Sequence, residues 1–148
     1  FWSTIFHTPG YYRTEREMND EAQKLIDRYQ LTAVADSPAN KLPYGMQRRV
    51  EIVRALATNP KIIFLDEPAA GMNPEETAEL TTMIKKLRDE NNLAVLLIEH
   101  DMSLVMNLAE RIYVLDQGEV LASGTPKEVS QNPAVVKAYL GGDVNAAG

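Results

Sequence analysis

The 148-residue sequence contains no cysteine. This excludes a disulfide framework and cysteine-ligated zinc, and it fits a reducing compartment. Long apolar runs are missing too. Leu93 to Ile98 is among the longest, far short of the roughly 20 residues that cross a bilayer, and no charged-then-apolar leader opens the chain. Nor is there an excess of positive charge, since 15 Lys and Arg against 21 Asp and Glu leave a formal charge of −6. Broad binding to nucleic acid needs a basic face to displace counterions from phosphates, so no nucleic-acid partner is expected. Repeats and low-complexity segments are absent apart from a small-residue tail, Gly141 to Gly148. What is present, 45% hydrophobic and 24% charged residues, suffices for one globular domain with a buried core. The chain begins at Phe1 rather than methionine, and Phe1-Trp2 reads as the interior of a longer sequence.

Apolar spacing predicts alternating elements. Pro9-Gly10 predicts a turn, after which Thr14 and Glu17 have capping-box spacing and Ala22, Leu25, Ile26 and Tyr29 fall at helical intervals, giving a helix over about Glu15 to Gln30. A second helix is expected from Gln47 to Thr58, with Val50, Val53, Leu56 and Ala57 on one side and Asn59-Pro60 as its stop. Ile62 to Leu65 does not alternate, the pattern of a strand buried on both faces of a parallel sheet. Asn73 and Pro74 open a helix whose buried stripe is Leu80, Met83, Ile84 and Leu87, with Glu75 and Glu76 at its positive end. Leu93 to Ile98 is a second strand, Asp101 starts a helix with Val105 and Met106 inward, and Arg111 to Leu115 is a third strand. Met102 and Met106 are read as core. Strand, helix, strand, helix, strand implies parallel pairing. Asp116-Gln117-Gly118 then turns into an antiparallel partner, Glu119 to Ala122. A capping box at Thr125 to Glu128 and a last helix from Asn132-Pro133 to Leu140, stopped by Gly141, complete the chain.

In an open parallel sheet, residues just past the carboxyl ends of strands face the ligand crevice. Asp66 and Glu67 stand there. A hard divalent cation such as Mg2+ takes one or two carboxylates plus waters and substrate phosphate, a role that suits Asp66. Glu67, one residue later, would point elsewhere and could polarise a water for in-line attack on a terminal phosphate. Alone, Asp-Glu-Pro reads more simply as a solvated turn. His100, however, follows the next strand and would emerge on the same edge, where an imidazole can donate to phosphate oxygens as charge accumulates.

These residues resemble the ATP-binding cassette (ABC) ATPases of membrane transporters. "IIFLDEP" is similar to their Walker B strand, "AAGMNP" to the D-loop, and "IEHD" to the switch-histidine segment, while "LPYGMQRR" stands where the family has its Leu-Ser-Gly-Gly-Gln signature. The motifs cover about Lys41 to Asp101 in the family's order. "GMNPEETAEL", "IEHDMSLVM" and "NPAVVKAYLGG" are most similar to the ATP-binding subunit of branched-chain amino acid importers. The resemblance implies an α/β, P-loop-type core with a mostly parallel sheet flanked by helices. About 1–58 would be part of the helical subdomain, about 59–140 part of the catalytic core, and 141–148 a tail. It also implies ATP and Mg2+ as cofactors, a second ATPase subunit bound head to tail, permease subunits as partners, and a place at the cytoplasmic face of the cell membrane. Tyr44, Gly45, Met46, Gln47 and Asn73 would meet ATP across that dimer, with Asp66 on the metal and Glu67 and His100 catalytic.

Departures from the family's pattern matter as well. None of the eight glycines begins the phosphate loop G-x-x-x-x-G-K-[ST], so a C-terminal fragment that is inactive alone is expected. Pro43 replaces the usual serine and Met46 the usual glutamine, removing two donors to phosphate. Asn73 stands where many relatives have aspartate; helix capping by itself accounts for it. Arg48 and Arg49 are assigned to a solvated helix face, and Trp2, Tyr11 and Tyr12 to a contact surface with the transmembrane subunits or with the rest of the protein. Two rival functions are an ATPase of the same superfamily that remodels chromosomes or ribosomes, and a non-catalytic interaction module.

Overall fold

The computed structural model describes residues 9–139, with side chains from residue 15 onward. Helix α1 runs from Pro9 to Arg28, so Pro9-Gly10 begins the helix rather than turning the chain, and Thr14 lies inside it. Proline is accommodated in a first helical turn because its missing N–H has no intrahelical partner there. Two 3-10 turns, Thr32–Val34 and Ala39–Lys41, lead to α2, Tyr44–Leu56. The readings at Trp2, Tyr11 and Tyr12, the Leu140 and Gly141 helix stop, and the tail fall outside what is described.

Strand β1, Ile62–Asp66, pairs in parallel with β2, Ala94–Ile98, in the register Ile62 to Ala94 through Asp66 to Ile98. Between them runs α3, Pro74–Asn91. Its expected stripe, Leu80, Met83, Ile84 and Leu87, is buried throughout. Asn73 caps it in a reciprocal box, accepting from the Glu76 N–H at 2.9 Å while the Glu76 carboxylate accepts from the Asn73 N–H at 3.0 Å. Asp101 caps the short α4, Met102–Leu108, by accepting from the Ser103 and Leu104 N–H groups. Strand β3, Ile112–Asp116, then forms an antiparallel hairpin with β4, Glu119–Gly124, through a turn in which Gln117 and Gly118 both have positive φ. Helices α5, Pro126–Ser130, and α6, Pro133–Tyr139, follow, the first with the Thr125–Glu128 box that the spacing predicts.

Two expectations need correction. The first is the continuous parallel sheet: among the described residues β3 pairs only with β4, leaving two separate two-stranded sheets. A cavity of about 1080 Å³, lined by residues of both β2 and β3 including Leu96, Ile98, Tyr113 and Leu115, separates the two edges. Backbone pairing needs strands about 4.8 Å apart, so no ladder forms across it. The second is burial on both faces. In β1, Ile63 and Leu65 face the core, whereas Phe64 is 69% exposed and its neighbour Leu96 on β2 is 50% exposed. Helices cover one face of this sheet, and among the described residues nothing covers the other.

The main core joins Tyr29, Leu31, Ile52, Val53 and Leu56 to Ile63, Leu65 and the α3 stripe. A smaller cluster holds Ile112, Val114, Val129 and Val135 under the hairpin. Helix α4 links the two. Leu104 and Leu108 enter the main core, while Met102, Val105 and Met106 pack half-buried against the smaller one.

Candidate active site

Strand pairing brings the expected acids and histidine to one edge. Asp66 ends β1 opposite Ile98, on the uncovered face, and its carboxylate has no hydrogen bond or ion pair with any described residue. The next residue breaks the strand's alternation. Glu67 has φ 41°, a left-handed conformation unfavourable for a residue with a Cβ, while its N–H extends the ladder to the Ile98 carbonyl at 2.9 Å. The chain then turns, with the Ala70 N–H donating to the Glu67 carbonyl at 3.1 Å and the Met72 N–H to the Ala69 carbonyl at 3.1 Å. His100 Nδ1 consequently lies 3.3 Å from Glu67 Oε1, both groups open to solvent. One carboxylate thus stands free and the other stands beside an imidazole.

Glu99 was not among the expected site residues. Its carboxylate accepts from the Ala69 N–H at 3.0 Å and the His100 N–H at 3.1 Å. Alternation along β2 carries the signal: Val95 and Leu97 point inward, so the next inward position is Glu99, and an acid there must find donors.

The segment Leu42–Gln47 is helix rather than loop from Tyr44 onward, three positions earlier than expected. Pro43 is the N-cap and makes no capping bond. The N–H groups of Tyr44, Gly45 and Met46 therefore open the helix without intrahelical acceptors, whereas the Gln47 N–H bonds the Pro43 carbonyl. The Gln47 side chain turns back to the Leu42 carbonyl at 2.7 Å, and Met46 packs on the main core. Gly45 is buried, and a Cβ there would come within 3.3 Å of Glu76 Oε1. This helix start thus packs beside the capping box of α3. Arg48 and Arg49 are half-buried and paired with Glu51 and Glu79 rather than solvated. The Glu51 carboxylate holds the Arg48 guanidinium above its ordinary pKa. No hydrogen bond or ion pair joins residues 44–47 to Asp66, Glu67 or His100, so the described chain holds two separate groups of expected site residues.

Comparison with known families matches residues 2–70 to the family described as "ABC transporter" and residues 119–145 to "Branched-chain amino acid ATP-binding cassette transporter". Over these stretches the chain is similar to ABC transporter ATPases. The high-affinity branched-chain amino acid transport ATP-binding protein BraF of Pseudomonas aeruginosa is 50% identical over 141 residues, covering 95% of this chain and 55% of that protein. The corresponding protein LivG of Escherichia coli K12 is 49% identical over 140 residues, with coverage of 95% and 55%. Among solved structures, an ATP-binding cassette of an ABC transporter in its ADP conformation superposes with TM-score 0.76 at 35% identity, covering 85% of this chain and 51% of that one. The ABC fold assignment therefore rests on sequence and structure together. The chain spans about half the length of the curated relatives it matches.

Proposed function

We propose that this chain is the part of an ABC importer's ATP-binding subunit that hydrolyses ATP, in a system for branched-chain amino acids. The observation that carries the proposal is the 3.3 Å approach of Glu67 and His100 at the ends of adjacent parallel strands. Relatives named for branched-chain amino acid transport at about half identity favour that cargo class.

The free Asp66 carboxylate fits Mg2+, which keeps most of its waters and needs only one or two protein oxygens. Bound there with ATP, the ion would neutralise charge on the phosphates. Glu67 orients and polarises the attacking water, and His100 donates to the terminal phosphate as its oxygens gain charge. The phosphates themselves need a loop of backbone N–H groups and a lysine that this sequence does not contain. The open N–H groups at Tyr44–Met46 form an anion-favouring helix start, suited to nucleotide on a second subunit bound head to tail. Asn73 would lie in the same contact. Residues up to about 58 would belong to the helical subdomain and 59–140 to the catalytic core. Among the described residues no helix is long and apolar enough to cross a membrane, so attachment to the cytoplasmic face would run through permease subunits.

Isothermal titration with Mg-ATP provides the test. The 148-residue chain is expected to show no tight binding, and a polypeptide joining it to a phosphate loop is expected to bind and hydrolyse. Glu67→Gln in that longer protein should bind ATP and not turn it over. Hydrolysis by the variant at the wild-type rate would reject the assignment.

A further inference from the structure

Among the acids at these strand ends, Glu99 is the one that the fold buries: its side chain is 1% exposed, against 53% for Glu67. A buried carboxylate is tolerated only where donors replace the lost water. Here the two donors belong to different loops, since the Ala69 N–H follows β1 and the His100 N–H follows β2. The turn between β1 and Ala69 contains Glu67 in its left-handed conformation, which surrounding structure must hold in place. The Ile98 carbonyl holds the start of that turn, and Glu99 holds its middle.

We propose that Glu99 is a positioning residue that clamps the Pro68–Ala69 turn onto the end of β2, keeping the Glu67 carboxylate beside the His100 imidazole. It acts through two backbone amides, and its Oε2 also lies 4.0 Å from His100 Nδ1, so it works on the site through Glu67 and His100. Its effect on rate depends on the hydrolytic role proposed above; the clamp itself does not.

The experiment has two arms. In the 148-residue chain, amide exchange is followed by NMR in Glu99→Ala and Glu99→Gln. Losing a charged acceptor should speed exchange of the Ala69 and His100 amides by about tenfold or more in Glu99→Ala, while core amides of α3 stay slow. Glu99→Gln keeps one carbonyl acceptor, so one of the two amides should remain protected and the other should not. This variant decides the matter if the alanine variant does not fold. In a longer protein carrying a phosphate loop, kcat in Glu99→Ala should fall by about tenfold with KM for ATP unchanged, and Glu99→Gln should recover part of the loss. Unchanged exchange at both amides in a folded variant would overturn the clamp, as would a raised KM with kcat retained. Absence of ATPase activity in the wild-type longer protein would instead count against the hydrolytic role, leaving the exchange arm to decide the clamp.

Discussion

His100 and Glu67 approach to 3.3 Å because β1 and β2 are adjacent and in register, so the first residue past β1 and the second past β2 meet at one edge. If they act on one terminal phosphate, their losses should not add. In a longer protein carrying a phosphate loop, His100→Ala is expected to lower kcat by about 10²–10³-fold. The double variant with Glu67→Gln should be little worse than the more damaging single change. Additive losses in steady-state kinetics would show that the two residues act independently.

Pro43 caps α2 without a side-chain acceptor. Serine at that position would supply a capping bond worth about 1 kcal/mol. Loss of proline's rigidity in the unfolded chain costs about 0.4–1 kcal/mol, so the two effects nearly offset. Pro43→Ser should therefore leave Tm almost unchanged in this chain. In a longer protein carrying a phosphate loop, the added hydroxyl and N–H should raise ATPase activity. An equal or lower rate in the coupled assay would reject the donor argument.

Burial separates two apolar residues that look alike in sequence. Ile84 is fully buried in the main core, and Ile84→Ala should cost about 2–5 kcal/mol in urea unfolding. Phe64 is 69% exposed, and Phe64→Ala should stay within about 0.5 kcal/mol of the parent. A large loss at Phe64 would mean that something covers the open sheet face in solution.

The Thr125 backbone N–H, and then its hydroxyl, hold the Glu128 carboxyl below its ordinary pKa of 4.5. A carboxylate depressed in the folded state adds stability that is complete above the unfolded pKa and disappears as pH falls through the folded one. Glu128→Ala should accordingly lower Tm at neutral pH. The gap between variant and parent should shrink in scans below pH 4.5. A gap that does not change with pH would assign the effect to packing instead.

Local chemistry was legible in the order of residues: the α3 stripe, the caps at Asn73, Asp101 and Thr125, the β3–β4 hairpin, and the acids and histidine at strand ends all follow from near-neighbour spacing. The start of α1 is not fixed by local sequence, because Pro9-Gly10 suits a turn and a first helical turn alike. Apolar runs such as Ile62–Leu65 do not say how many faces are covered or whether a third strand lies within hydrogen-bonding distance. Such outcomes depend on contacts between residues far apart in the chain. The gap between β2 and β3, the uncovered side of β1, and the bond from the Ala69 N–H to the Glu99 carboxylate thirty residues away therefore emerged only with the packed chain.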